Sequence, residues 1–257
     1  MEFHYGRRQP HPNETHPRLY LDDFLTPIEI PSSVDFCSEV ASWPMSLNDQ
    51  LGDCTIAAAN HTQMAWNQYA RGSSKSWTDQ QCLDAYSAIG GYKLGDPSTD
   101  NGCVMQDVLS AWRKDGIAGD KILAYAALRK WSDAIRLQAL YQFGSIYTGI
   151  NLPQSAETQF DDNQAWTPVA GSPNAGGHCI DTQAQLDANV PNGIRVISWG
   201  RAVPVAASFY MDYTEEAWVI VSQDFIEVNG KNPDGLDLTA MNEALASLTG
   251  ERNPLGL

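Results

Sequence analysis

The amino-acid sequence predicts an α+β fold, because helix signals fill its first half and strand signals fill its second. Apolar residues at helical spacing, with capping residues at their ends, lie between residues 54 and 142. After Gly144 the pattern changes to short alternating segments typical of strands. Helices followed by strands are typical of α+β proteins rather than of alternating α/β folds.

Capping and propensity signals define the helices. Asp53 stands at the N-cap position of the first one, which places Cys54 in its first turn. Thr78 and Gln81 form a capping-box pattern at the start of the second. Glycines end the first two, and an apolar stripe marks the third. The four helices are predicted over residues 54–71, 78–90, 104–114 and 131–142.

Alternating apolar residues define the strands. They are predicted over residues 145–151, 178–186, 194–199 and 217–221, after a short extended segment at 30–36. The turn at 189–193 joins two of them as a hairpin. Residues 153–177 are long, polar and predicted to be an irregular loop.

The net charge is −15, with 16 basic and 31 acidic side chains, which disfavours binding to nucleic acids and to anionic membrane surfaces. The first 20 residues instead carry a net +1 and several prolines, which predicts an extended arm. Neither a signal peptide nor a transmembrane segment is predicted. We therefore predict an arm over residues 1–30, a helical lobe over 31–144 and a β-rich lobe over 145–257.

Five cysteines without a CxxC pair argue against a disulfide scaffold and against a zinc site, so no metal and no cofactor is predicted. Cys54 differs from the others, because a helix N-terminus stabilises the thiolate. His178 opens a strand after two glycines and is a candidate base for that nucleophile. Both residues also fit a simpler interpretation, as buried core side chains.

Several motifs occur in one order along residues 31–225. They are Pro-Ser-Ser-Val-Asp-Phe at 31–36, Ser-Trp-Thr-Asp-Gln-Gln-Cys-Leu-Asp at 76–84, Asn-Gly-Cys-Val-Met at 101–105, Gly-His-Cys-Ile at 177–180 and Ser-Trp-Gly at 198–200. With Cys54 nineteen residues after Asp35, this order resembles that of papain-like cysteine peptidases. The run at residues 47–55 is similar to that of papain-like proteins from phages and prophages.

The resemblance implies a papain-like two-lobed fold, with an N-terminal helical lobe, a C-terminal antiparallel β-rich lobe and the site between them. It implies Cys54 as nucleophile and His178 as base. Asn48, six residues before Cys54, or Gln50 would supply an oxyanion donor. The orienting asparagine of the family aligns with Ile197, which cannot form a side-chain hydrogen bond, so Ser198 is the remaining candidate for a third member.

Two functions follow from these residues. The first is a peptidase or amidase that acts on a peptide or protein through the Cys54/His178 pair. The second is an inactive papain-fold structural or interaction protein of a phage particle. Its partners would be virion proteins or its own copies, contacted through residues 1–25. The expected location is the virion or the host cytoplasm.

Overall fold

The computed structural model describes residues 3–129, 132–222 and 237–256. Its helices are α1 (Cys54–Arg71), α2 (Asp79–Gly90), α3 (Met105–Lys114), α4 (Asp133–Phe143), α5 (Gln154–Asp161), α6 (Ala207–Tyr213) and α7 (Leu238–Thr249). Its strands are β1 (Val34–Asp35), β2 (Ala124–Ala127), β3 (Ile146–Pro153), β4 (Asn174–Gln185), β5 (Ile194–Ser198), β6 (Arg201–Val205) and β7 (Thr214–Val221).

All seven strands form one antiparallel sheet in the order β2-β7-β3-β4-β5-β6, and β1 pairs with β4. Helix α1 packs on β4 with one face and on α2 and α3 with the others. Its first fourteen residues, 54–67, are buried. The sheet and the helical layer therefore meet along α1, and Cys54 stands at the end of this buried helix. None of the helices in the described residues has the length and apolar character that a membrane-spanning segment needs.

The predicted helices and the α+β order are confirmed, although residue 131 lies outside the described residues. The capping box forms in both directions: Thr78 accepts from the backbone of Gln81, and the Gln81 side chain accepts from the backbone of Thr78. The capping prediction for Asp53 is wrong in one respect, because its side chain forms no capping hydrogen bond. Its φ of −100° and ψ of 20° depart from the extended conformation of a capping residue.

The prediction of an irregular loop over residues 153–177 is wrong, because this segment contains α5 and the start of β4. Polar residues dominate α5, yet Ala156 and Phe160, four residues apart, face one cluster around Trp166 and Trp199. Two apolar residues on one helix face were too weak a signal against the polar background. The strands β2 and β6 and the helices α6 and α7 were also not predicted.

A buried polar network links α1 to the sheet. Ser145 lies 3.2 Å from the Thr62 hydroxyl and donates to the carboxylate of Asp181, which also accepts from Gln183. Burial raises the pKa of Asp181 to about 7. In the unfolded chain this carboxyl ionises near pH 4.

Because its folded pKa is the higher one, Asp181 contributes stability below pH 4 that is lost as the pH rises through 7. The loss is on the order of 1 kcal/mol per pH unit in this window. Asp181→Asn is expected to flatten this decline and to stabilise the protein at pH 8, measured by urea unfolding at pH 5 and 8. Asp162→Asn, at an exposed aspartate, is the control. An unchanged pH dependence in Asp181→Asn would contradict this assignment.

Candidate active site

Cys54 is the first residue of α1, and its side chain is buried. The backbone of Cys179, which follows His178 on β4, forms a hydrogen bond with the thiol, as does the backbone of Gly6. Burial nevertheless raises the pKa of the Cys54 thiol to about 11, and the neighbouring Asp53 also opposes the thiolate. In this state the cysteine is therefore a protected thiol, placed directly beside the strand that carries the candidate base. All five cysteines are free.

His178 lies on β4, and its imidazole is held from two sides. Its Nε2 is 2.8 Å from the hydroxyl oxygen of Ser198, and its ring stacks on Trp199 at a centroid distance of 4.2 Å. Its Nδ1 has no hydrogen-bond partner among the described residues. Burial, with a smaller contribution from the positive charge of Arg7, lowers the pKa of His178 to about 3. The ring is therefore neutral and oriented by its contact at Nε2, and in the tautomer that carries its proton on Nε2 the unpartnered Nδ1 can take up a proton.

The structure brings Ser198, rather than its neighbour Ile197, to the histidine. Ile197 instead packs in a small cluster with Cys37 and Ala184. Successive residues of a strand face opposite sides of the sheet, so only one of the two can meet His178. A motif alignment assigns the orienting position to Ile197, and the structure instead brings the hydroxyl of Ser198, the remaining candidate from the sequence, to the histidine.

The two oxyanion candidates, Asn48 and Gln50, have other surroundings. Asn48 is buried, and its amide donates to the backbone oxygen of Leu51 at 3.1 Å. Gln50 is exposed, and its amide lies 3.5 Å from the carboxylate of Asp49. The role of either amide as an oxyanion donor stays a prediction.

The N-terminal arm lies in a cleft with one wall at Cys103 and the other at Gly177, the residue before His178. On one wall, Cys103 donates to the oxygen of Gly6 at 2.8 Å, and Arg8 donates to the oxygen of Cys103 at 2.9 Å, which makes a parallel bridge. On the other wall, the Arg7 amide donates to the oxygen of Gly177 at 3.0 Å. The arm thus binds the walls with its backbone and covers the Cys54 thiol.

Glycines let the arm backbone come this close to the walls of the cleft, because backbone atoms occupy the space that a side chain on these residues would fill. A Cβ atom on Gly6 would lie 1.5 Å from the oxygen of Gly52, which directly precedes Asp53 and Cys54. A Cβ on Gly102 would lie 1.9 Å from the Gly6 oxygen, and one on Gly177 would lie 2.2 Å from the Arg7 oxygen. The glycines before His178 therefore admit a peptide backbone, and the backbone found there is the chain's own arm.

Aromatic residues of the arm complete the cover. Phe3 contacts the ring of Trp199 at a centroid distance of 4.7 Å, and Tyr5 meets the edge of the His178 ring at 6.2 Å. The Tyr5 hydroxyl donates to Glu157 on α5. The prediction of an extended arm is consistent with these contacts, which are all within one chain. An arm that reaches another copy stays a prediction.

In a comparison with solved structures, this fold is similar to that of papain-like cysteine proteases. Xylellain, a cysteine protease from Xylella fastidiosa, superposes with a TM-score of 0.61 at 13% identity over 85% of this chain and 96% of xylellain. Digestive procathepsin L2 from Tenebrio molitor gives 0.58 at 13% identity, over 85% of this chain and 78% of that one. Procathepsin B from Trypanosoma congolense gives 0.56 at 11% identity, over 85% and 86%.

The chain therefore has the papain-like two-lobed fold, as the order of its motifs indicated. No protein-family model and no curated protein matches its sequence. At these low identities the likeness establishes the fold, and the function has to be argued from the site itself.

Proposed function

We propose that the protein is a latent cysteine peptidase whose own N-terminal arm occupies the substrate cleft. The observation that carries this proposal is the imidazole of His178, fixed at Nε2 by Ser198 and by the face of Trp199, on the strand beside the Cys54 thiol. A core histidine needs no free ring nitrogen, whereas a general base needs one.

In the proposed reaction, Nδ1 of His178 accepts the proton of the Cys54 thiol once the arm has left the cleft. The thiolate attacks the carbonyl carbon of a peptide bond, and backbone N–H groups at the start of α1 stabilise the oxyanion. The imidazolium then returns the proton to the leaving amine, and a thioester remains. Water, deprotonated by the same imidazole, hydrolyses the thioester and restores the thiol.

The test uses the full-length chain with Arg7→Ala, which weakens the hold on the arm. We expect a peptidyl epoxide to label Cys54 selectively in this variant, with cleavage of a fluorogenic peptide, and expect neither in Arg7→Ala/Cys54→Ser. Arg8→Ala is the matched control, because Arg8 is adjacent, exposed and equally charged. If Cys54 in the opened protein labels no faster than the other four cysteines, the proposal fails.

Ser198→Ala is expected to lower kcat of the opened enzyme by about 10- to 100-fold, because the imidazole loses the partner that sets its orientation. Ser198→Thr keeps a hydroxyl and should retain most of the activity, and Ser73→Ala, at an exposed serine, is the control. The pH profile of kcat/KM should shift in Ser198→Ala alone. Equal profiles for all variants would assign Ser198 a purely structural role.

The occupied cleft favours a second candidate function, a papain-fold interaction protein without turnover, because the arm forms backbone hydrogen bonds with Cys103 and Gly177 and buries the Cys54 thiol. This burial raises the pKa of Cys54 to about 11 and lowers that of His178 to about 3, which is the reverse of a thiolate–imidazolium pair. In that case the cleft is a binding site for a chain segment. Membership of a phage particle is supported only by the sequence of residues 47–55. Removal of residues 1–25 should then weaken particle incorporation or self-association, and an unchanged assembly state would count against it.

A further inference from the structure

The side chain of Arg7 fills an acidic pocket beside the candidate site. It is fully buried, and its guanidinium contacts three acceptors. Nη1 lies 3.2 Å from a carboxylate oxygen of Glu216, and Nη2 donates to the Asn151 oxygen at 2.8 Å and pairs with the carboxylate of Glu215. Several acceptors around one planar group match the fork of donors of a guanidinium, which lysine lacks.

The pocket is organised independently of the arm. Glu216 lies on β7 with 4% of its surface exposed, and its second carboxylate oxygen accepts from the indole nitrogen of Trp218 at 2.8 Å. Gly149 on β3 makes the room: a Cβ there would lie 2.6 Å from Cδ of Arg7 and 2.9 Å from Cγ of Glu216. Two carboxylates face one guanidinium, so the pocket without Arg7 keeps an excess of negative charge. A bound cation would stabilise these buried carboxylates.

The pocket is adjacent to the candidate catalytic residues, because the arm residue that fills it, Arg7, directly follows the residue that contacts the Cys54 thiol. The Arg7 amide binds the oxygen of Gly177, the residue before His178, and the preceding Gly6 covers the Cys54 thiol. A peptide that replaces the arm in this cleft therefore presents a neighbouring side chain to Glu215 and Glu216.

We propose that this pocket binds an arginine side chain of the peptide that takes the place of the arm. Selection during turnover rests on the proposed peptidase function, whereas binding of a guanidinium group does not. The arm's own Arg7 is then the intramolecular occupant of an arginine subsite, and peptides with arginine at that position are the substrate class.

Binding is tested first, with agmatine as a guanidinium probe and the full-length protein in a calorimeter. We expect saturable binding to Arg7→Ala, at least a 10-fold loss of affinity in Arg7→Ala/Glu216→Gln, and no binding to Arg8→Ala, where the pocket stays filled. Gly6→Ala, which displaces the arm with every pocket residue intact, provides a second opened protein and should also bind. The absence of agmatine binding to both opened variants, with their folds intact by circular dichroism, would overturn the proposal.

Selection is tested with fluorogenic peptides that are identical except for arginine, lysine or norleucine at each position in turn. We expect Arg7→Ala to prefer arginine by about 100-fold at one position, in the range measured for buried charge pairs, and Glu216→Gln to reduce this ratio below 10. Glu251→Gln, which removes a carboxylate paired with Arg113 on the surface, should leave the ratio unchanged. Agmatine binding without turnover would refute only the peptidase function. Turnover without arginine preference would refute this inference and leave the peptidase function standing.

Discussion

Gly6→Ala is expected to raise the rate at which a peptidyl epoxide labels Cys54 by about 100-fold. The new methyl group would lie 1.5 Å from the oxygen of Gly52, which is backbone and cannot turn aside like a side chain. The arm would then lose the backbone bond between Gly6 and Cys103 and with it the cover over the thiol. A 100-fold change corresponds to about 3 kcal/mol. This is a modest free energy compared with the steric repulsion of two non-bonded atoms 1.5 Å apart.

The labelling is measured by mass spectrometry of the intact protein and of its peptides. Gln9→Ala, at an exposed residue of the same arm, is the control for introducing an alanine into the arm and should react like the unmodified sequence. Gly6→Ala/Cys54→Ser shows how much of the label belongs to Cys54. If Gly6→Ala and Gln9→Ala react at the same rate, the arm does not guard the thiol.

Acid is expected to release the arm, with the largest effect between pH 6.5 and 3. Under the arm the pKa of His178 is about 3, whereas a solvated imidazole titrates near 6.5, so the open form binds a proton that the closed form does not. Opening is therefore favoured as the pH falls, by up to about 1.4 kcal/mol per pH unit in this window. Burial raises the pKa of Glu216, and its protonation acts in the same direction, since it removes a charge that holds Arg7.

Hydrogen exchange of the arm amides measures this release. After correction for the intrinsic pH dependence of exchange, residues 3–12 should lose protection at pH 4.5 relative to pH 7, whereas residues 54–71 of α1 should not. Equal protection of the arm at both pH values would contradict the linkage.

The sequence predicted the parts of the fold that local chemistry determines. Helix α2 begins at the capping box of Thr78 and Gln81, and α1 ends at the glycine at 72, as these local signals predict. Helix α5 has no comparable signal, and it is stabilised by the contacts of Phe160 with a cluster from other elements. Contacts of this kind depend on the three-dimensional arrangement and not on neighbouring residues.

The same distinction applies to the site. The nucleophile and base candidates could be named from a helix start and a motif order, and the structure places the Cys54 thiol against the backbone next to His178. Ser198 could be named only as the remaining candidate after Ile197, because which of two neighbouring residues contacts the histidine depends on how the end of the strand is oriented in the sheet. The partners of Arg7, Glu215 and Glu216, are 208 and 209 residues away in the chain, and no spacing rule relates them.

The covalent attachment of the arm sets how this cleft responds to concentration. A tethered segment has an effective concentration in the millimolar range, so any incoming peptide competes with a ligand that is always present. Dilution does not lower that concentration, and crowding does not raise it. A single cut within the exposed stretch at residues 12–17 would change this, since the freed arm becomes an ordinary dissociable peptide. Its inhibition would then fade with dilution, and the same backbone contacts would give a reversible inhibitor instead of a permanent one.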